Sequence, residues 1–199
     1  NVTIKMYSCN TCDYNTSRKN NYTKHILTHK HKKIVEIIDA YKKNLLENNL
    51  INEYDRFIIT RSDYIWLLPH PKLDLLDNQY IWIPDGEHYK GVTDRHVVIS
   101  KEYVINYLNI LDSLIVKSND YYNKLKTYES WNLEQIIKFH LQEEGVFDQV
   151  RYFPYIMYTI RPIGGTTRWT YGRFSKQLNY YIKYKSEYKL ATYSKKTYD

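Results

Sequence analysis

The sequence predicts a layered α/β domain behind a short front module of a different kind, and three observations carry that prediction. From Ile34 onward, apolar residues at helical spacing alternate with short runs of β-branched and aromatic residues. Residues 1–33 lack this alternation and hold seven Lys or Arg against Asp13, a net of +6, so of the overall +7 only +1 is left for the remaining 166 residues. At 43% hydrophobic residues, a chain of 199 can bury one ordinary core beside a small appendage.

The elements follow in order. Ile34, Ile37, Ile38, Tyr41, Leu45 and Leu46 recur at three- and four-residue intervals, which predicts an amphipathic helix to about Asn49. "DRFIIT" from Asp55 reads as a buried strand ending in "RSD", and "YIWIP" (Tyr80 to Pro84) as a second strand leading through "DGEHYKG" into "VTDRHVVIS". Helices are expected from about Lys101 to Val116, with Tyr121 to Glu129 as an extension, and from Asn132 to Gln142. Strand-like segments at Arg151 to Ile160 and Arg168 to Tyr171 precede a Tyr- and Lys-rich helical tail. No internal repeat or second large domain is visible, and the 23 tyrosines match the Lys-, Asn- and Ile-rich usage of AT-rich codons better than a dedicated binding surface.

In the front module, Cys9 and Cys12 are separated by two residues, His25 follows after twelve more, and His29 after another three. A Cys-x-x-Cys turn supplies two thiolates, and two histidines four apart project from one helix face, which is the tetrahedral ligand set of a two-Cys two-His Zn²⁺ finger. Tyr7 and Tyr22 stand where such a finger needs small-core residues, and Tyr14 takes the place of the core aromatic missing at Thr16. Counting from the zinc histidines, Arg18, Asn21 and Lys24 occupy the three positions that reach base edges in DNA-binding fingers. One finger spans only about three base pairs, so docking to a protein, or a purely structural role, stays open beside nucleic-acid binding.

Both cysteines fall in the finger, which points to a reducing, cytoplasmic setting. No apolar run approaches the roughly 20 residues of a membrane span. The chain opens at Asn1 without an initiator Met and reads as a fragment or processed product, which leaves an upstream signal open.

In the larger domain, Asp63 ends the "FIIT" strand beside Arg61. A carboxylate in that position can hold Mg²⁺ or Mn²⁺ while the arginine pairs with phosphate, and an ordinary Arg61–Asp63 ion pair is the plainer alternative. Downstream, Gly91 precedes Asp94, Arg95 and His96, a carboxylate, a guanidinium and an imidazole in succession before an apolar strand. The series "YDRFIITRSDYIWLLPHP", "IWIPDGEHYKGVTDRHVVIS", "NLEQIIKFHL" and "RPIGGTTRW" resembles a family of viral and eukaryotic glycosyltransferase-like domains with the nucleotide-sugar-binding GT-A architecture, over about Ile34 to Tyr193.

The resemblance implies that Asp63, with Arg61, holds a Mn²⁺ or Mg²⁺ ion and the donor diphosphate. It implies that the turn bearing Asp94, Arg95 and His96 borders the sugar or acceptor pocket, and that Glu134 is a candidate base. It also implies a viral setting in an infected host cell. The family's two glycines before "DRH" are reduced here by Lys90, and the strands that would bind the nucleotide base have no counterpart before Ile34. Two other readings remain: a hydrolase using Asp63 and Asp94 as paired carboxylates, and a finger-based binder whose α/β domain is not catalytic.

Overall fold

The computed structural model describes residues 7–9, 14–17, 47–110, 117–127, 132–164 and 172–198. Its architecture is mixed α/β. Strands β1 (Tyr7–Cys9) and β2 (Tyr14–Thr16) pair antiparallel, with Cys9 opposite Tyr14. That hairpin spans the first knuckle of the expected finger. Cys12, His25, His29, Arg18, Asn21 and Lys24 lie outside the described residues, as do 34–46 of the first expected helix and the segment around Arg168 to Tyr171.

A short helix α1 (Leu50–Glu53) leads into β3 (Arg56–Thr60) and β4 (Tyr64–Trp66), then β5 (Ile81–Asp85) and β6 (His96–Ser100). Helices α2 (Lys101–Leu108), α3 (Ser118–Leu125) and α4 (Leu133–Glu143) follow, so the expected extension past Tyr121 is a helix of its own. The "NLEQ" stretch starts α4 by a capping box. The Asn132 side chain accepts from Gln135 N–H at 2.9 Å, and the Gln135 side chain accepts from Asn132 N–H at 3.1 Å.

The single strand expected over Arg151 to Ile160 is two, β7 (Val150–Pro154) and β8 (Met157–Arg161), in different sheets. Pro154 has no N–H to continue a ladder, and the chain crosses from one sheet to the other just after it. The expected helical tail likewise begins with a ribbon, β9 (Arg173–Ser175) and β10 (Tyr180–Ile182), turned by Asn179 at φ 56°, before α5 (Lys185–Tyr198).

One sheet has the order β3-β6-β5-β7 and the other β4-β8-β10-β9. The first is mixed, since β5 runs parallel to β7 and antiparallel to β6. Ile81, Ile83, Val97 and Ile99 point from it into a core completed by Val104 of α2 and Ile137 and Leu141 of α4. Apolar residues on the second sheet, among them Tyr158 and Ile182, pack against Ala191 of α5.

The loop between β5 and β6 carries three non-glycine residues in the left-handed region, Glu87 (φ 55°), Tyr89 (φ 45°) and Lys90 (φ 69°). Lys90 thus stands in a conformation that glycine adopts freely. Lys90→Gly is expected to raise stability by about 1 kcal/mol, read as a higher midpoint in urea unfolding.

Candidate functional site

Antiparallel pairing brings the two motifs together. Thr60, the last residue of β3, pairs with His96, the first of β6. The tripeptide leaving one strand and the residues entering the other therefore lie at the same sheet end. There Arg61 Nε donates to Asp63 Oδ1 at 3.1 Å and its Nη2 to Oδ2 at 2.8 Å, while Nη1 stands 3.8 Å from Asp94 Oδ2. One guanidinium bridges the two predicted carboxylates. Arg95 in turn pairs with Asp94.

Two further residues complete the cluster. Arg161, at the end of β8, donates to Asp63 Oδ2. Its approach is set by strand β4, which pairs Tyr64 with Thr159 and lets Ile160 N–H donate to the Asp63 carbonyl at 3.0 Å. Glu187, in the first turn of α5 and fully buried, accepts from Arg95 Nε at 3.0 Å and from the Thr159 backbone N–H at 2.7 Å. Three guanidiniums and three carboxylates thus meet where the two sheets join.

Both added residues have sequence signals. Arg161 opens the "RPIGG" stretch, and Glu187 shares one helix face with Ala191 and Ser194, all buried at i, i+4 and i+7 spacing in an otherwise basic helix.

Burial opposes charge on Asp63, but hydrogen bonds from Arg61 and Arg161 outweigh it and hold the carboxyl below the usual carboxylate range. Glu134, nearly buried at the start of α4, is raised, chiefly by burial, with the negative charge of Asp94 adding to the effect. Its backbone carbonyl accepts from Val92 N–H at 2.8 Å, which ties α4 to the "GVTDRH" turn.

Gly91 does not use the left-handed freedom that its place in the turn invites. Its role is close approach: an added Cβ would lie 2.0 Å from the carbonyl carbon and oxygen of Glu134.

His96 does not join the cluster. Arg95 lies in the bend before β6 and turns to Asp94 and Glu187, while His96 is the first residue of the strand and turns the other way. The imidazole is buried against Trp66, His70 and Phe153, with Nε2 3.1 Å from His70 Nε2. Burial, with His70 adding to it, lowers its pKa from 6.5 to about 4.

The unfolded chain therefore takes up this proton first as acid is added. Stability present at neutral pH is expected to fall by about 3 kcal/mol between pH 6.5 and about 4. His96→Phe should flatten the pH dependence of the urea midpoint over that interval. A residual slope from buried His140, also lowered chiefly by burial, should survive.

The Mn²⁺ or Mg²⁺ that the resemblance implies does not fit these side chains as they stand. Both Asp63 oxygens accept from arginines, Asp94 faces Arg95 and Arg61, and among the described residues no three His, Cys, Asp or Glu gather as a metal site. The chemistry on offer is that of arginine N–H groups toward an oxyanion.

Comparison with family models, with curated proteins and with solved structures finds no match for this chain. Among the described residues no helix is long and apolar enough to cross a membrane.

Proposed function

We propose that the α/β domain is a glycosyltransferase-like domain whose arginine–carboxylate cluster receives the diphosphate of a nucleotide-sugar donor. One observation carries the reading: Arg61 joins Asp63 to Asp94, so the residues named from two separated motifs share one site with Arg95 and Arg161. Arg61 and Arg161 are partly exposed, with side-chain accessibilities of 31% and 20%, and can turn N–H groups toward a departing diphosphate. Glu134, whose raised pKa suits proton transfer, is the candidate base for an acceptor hydroxyl. The buried hydroxyls of Tyr64, Thr93, Tyr155 and Thr159 have no hydrogen-bond partner among the described residues, and each is a polar atom that a ligand or water would satisfy.

Nucleoside diphosphates and nucleotide sugars are expected to raise the thermal midpoint, and Arg61→Ala or Arg161→Ala to abolish that rise. Because the carboxylates are taken by arginines, a chelator should leave the rise unchanged. No shift with any nucleotide, with or without Mn²⁺, would overturn the reading.

A second reading draws on the same saturation of Asp63. A carboxylate locked between two arginines is also what a structural ion-pair network looks like, and the domain would then be non-catalytic while the front module does the binding. In both readings the finger holds Zn²⁺ through Cys9, Cys12, His25 and His29, and Arg18, Asn21 and Lys24 face nucleic acid or a protein partner. A chelator that removes zinc and abolishes binding to duplex DNA, with the nucleotide shift absent, would favour the second.

A further inference from the structure

We propose that the cavity between the β9–β10 ribbon and the first turns of α5 is a binding site for single-stranded nucleic acid, apart from both the arginine–carboxylate cluster and the front module. It has a volume of about 900 Å³, and its lining includes Arg173, Lys176, Lys185 and Lys189 but no Asp or Glu among the described residues. All four cations are exposed, and none forms an ion pair with a described residue.

Other described cations also form no ion pair with a described residue, among them Lys72, Lys90 and Lys138, but they are spread over the surface, whereas these four surround one cavity. Lys185 opens helix α5, where the helix dipole disfavours a cation, so nothing in the helix itself accounts for its charge. An anion in the cavity would reverse that penalty.

The concentration is also visible in the sequence. Residues 172–199 hold seven Lys or Arg against Glu187 and Asp199, a net charge of +5, and the one internal acid is turned inward to Arg95. The near-neutral total of the larger domain hides this basic end.

Charge alone would fit any polyanion, and the aromatic residues narrow the choice. Phe174 and Tyr188 line the cavity between the cations, with Tyr188 exposed at 39% while its ring meets Tyr158 in a T-shaped pair. Cations interleaved with aromatic faces are how proteins hold single strands, with phosphates on Lys and Arg and bases stacked on rings. An acidic peptide or an anionic bilayer supplies the charge but no flat partner for those rings.

The test is fluorescence anisotropy of the full chain with a labelled oligonucleotide of about twelve nucleotides, with salt varied between about 50 and 200 mM. All arms contain zinc and the unaltered front module, whose net charge of +6 contributes equally to each, so the reading lies in the differences between variants. The Lys176→Ala/Lys185→Ala/Lys189→Ala variant should bind at least tenfold more weakly. Its salt slope should also fall by about 2, at roughly 0.7 per phosphate contact.

The matching Lys→Arg triple should keep both affinity and slope. Tyr188→Leu should weaken binding about fivefold or more without changing the slope. Wild-type affinity and slope in the triple alanine variant would overturn the proposal. So would tighter, equally lysine-dependent binding of polyglutamate or of phosphatidylserine vesicles.

Discussion

Replacing Glu187 with glutamine is expected to destabilise the protein by about 3–5 kcal/mol, the cost of leaving a buried ion pair with one member missing. The arginine it serves is nearly as buried, at 6% side-chain exposure. Burial opposes the charge on Arg95, but Asp94 and Glu187 outweigh it and hold the guanidinium firmly protonated. With Glu187 neutral, among the described residues only Asp94, itself 21% exposed and shared with Arg61, remains to balance that charge.

The Thr159 N–H would suffer as well. A glutamine amide can offer its oxygen to Arg95 or to Thr159, and its NH₂ group then opposes the other donor. Chemical unfolding measures the loss. A double variant, Arg95→Met with Glu187→Met, should cost less than Glu187→Met alone, because the loss at the Thr159 N–H is common to both and the buried guanidinium is no longer left without its partner.

Gly91→Ala is the second large effect, at or above the top of the usual range of about 1–3 kcal/mol for overpacking. The added methyl would meet the Glu134 carbonyl at 2.0 Å and Gln135 N at 2.3 Å, and backbone cannot yield as a flexible side chain does. Relief requires the "GVTDRH" turn to leave α4, which breaks the Val92 N–H to Glu134 carbonyl bond and removes Glu134 from the field of Asp94. A lowered urea midpoint checks the fold. If Glu134 is the base proposed above, any transfer activity should fall further than stability does.

The strand-to-motif logic was legible in the sequence. The run "FIIT" and the apolar "HVVIS" announce β-structure, and the structure pairs them in the register that puts Arg61, Asp63, Asp94 and Arg95 together. The alternation of helices and strands was legible too, along with the start of α4 at Asn132. What sequence could not supply was the direction of pairing. The cluster is built where the antiparallel strands β3 and β6 meet, and among the described strands only β5 and β7 run parallel.

The local signals at Glu187 and Arg161 mark a buried helix face and a motif edge but name no partner: the partners are 92 and 98 positions away, and no local spacing records such a contact. His96 was misplaced for the opposite reason. Adjacency to Arg95 in the chain implied a shared site, yet β6 begins at His96, whose ring turns to Trp66, His70 and Phe153 while Arg95 in the preceding bend reaches Asp94 and Glu187.

The Arg95–Glu187 pair also bears on biosynthesis. Ribosomes deliver residue 95 long before residue 187, so during synthesis the guanidinium must wait in water, and the two sheets lack the clasp that locks their junction. Assembly of the charged centre therefore comes after both sheets have been synthesised and is governed by docking of α5. Premature stop codons ahead of that helix should yield chains prone to capture by chaperones instead of a shorter working domain.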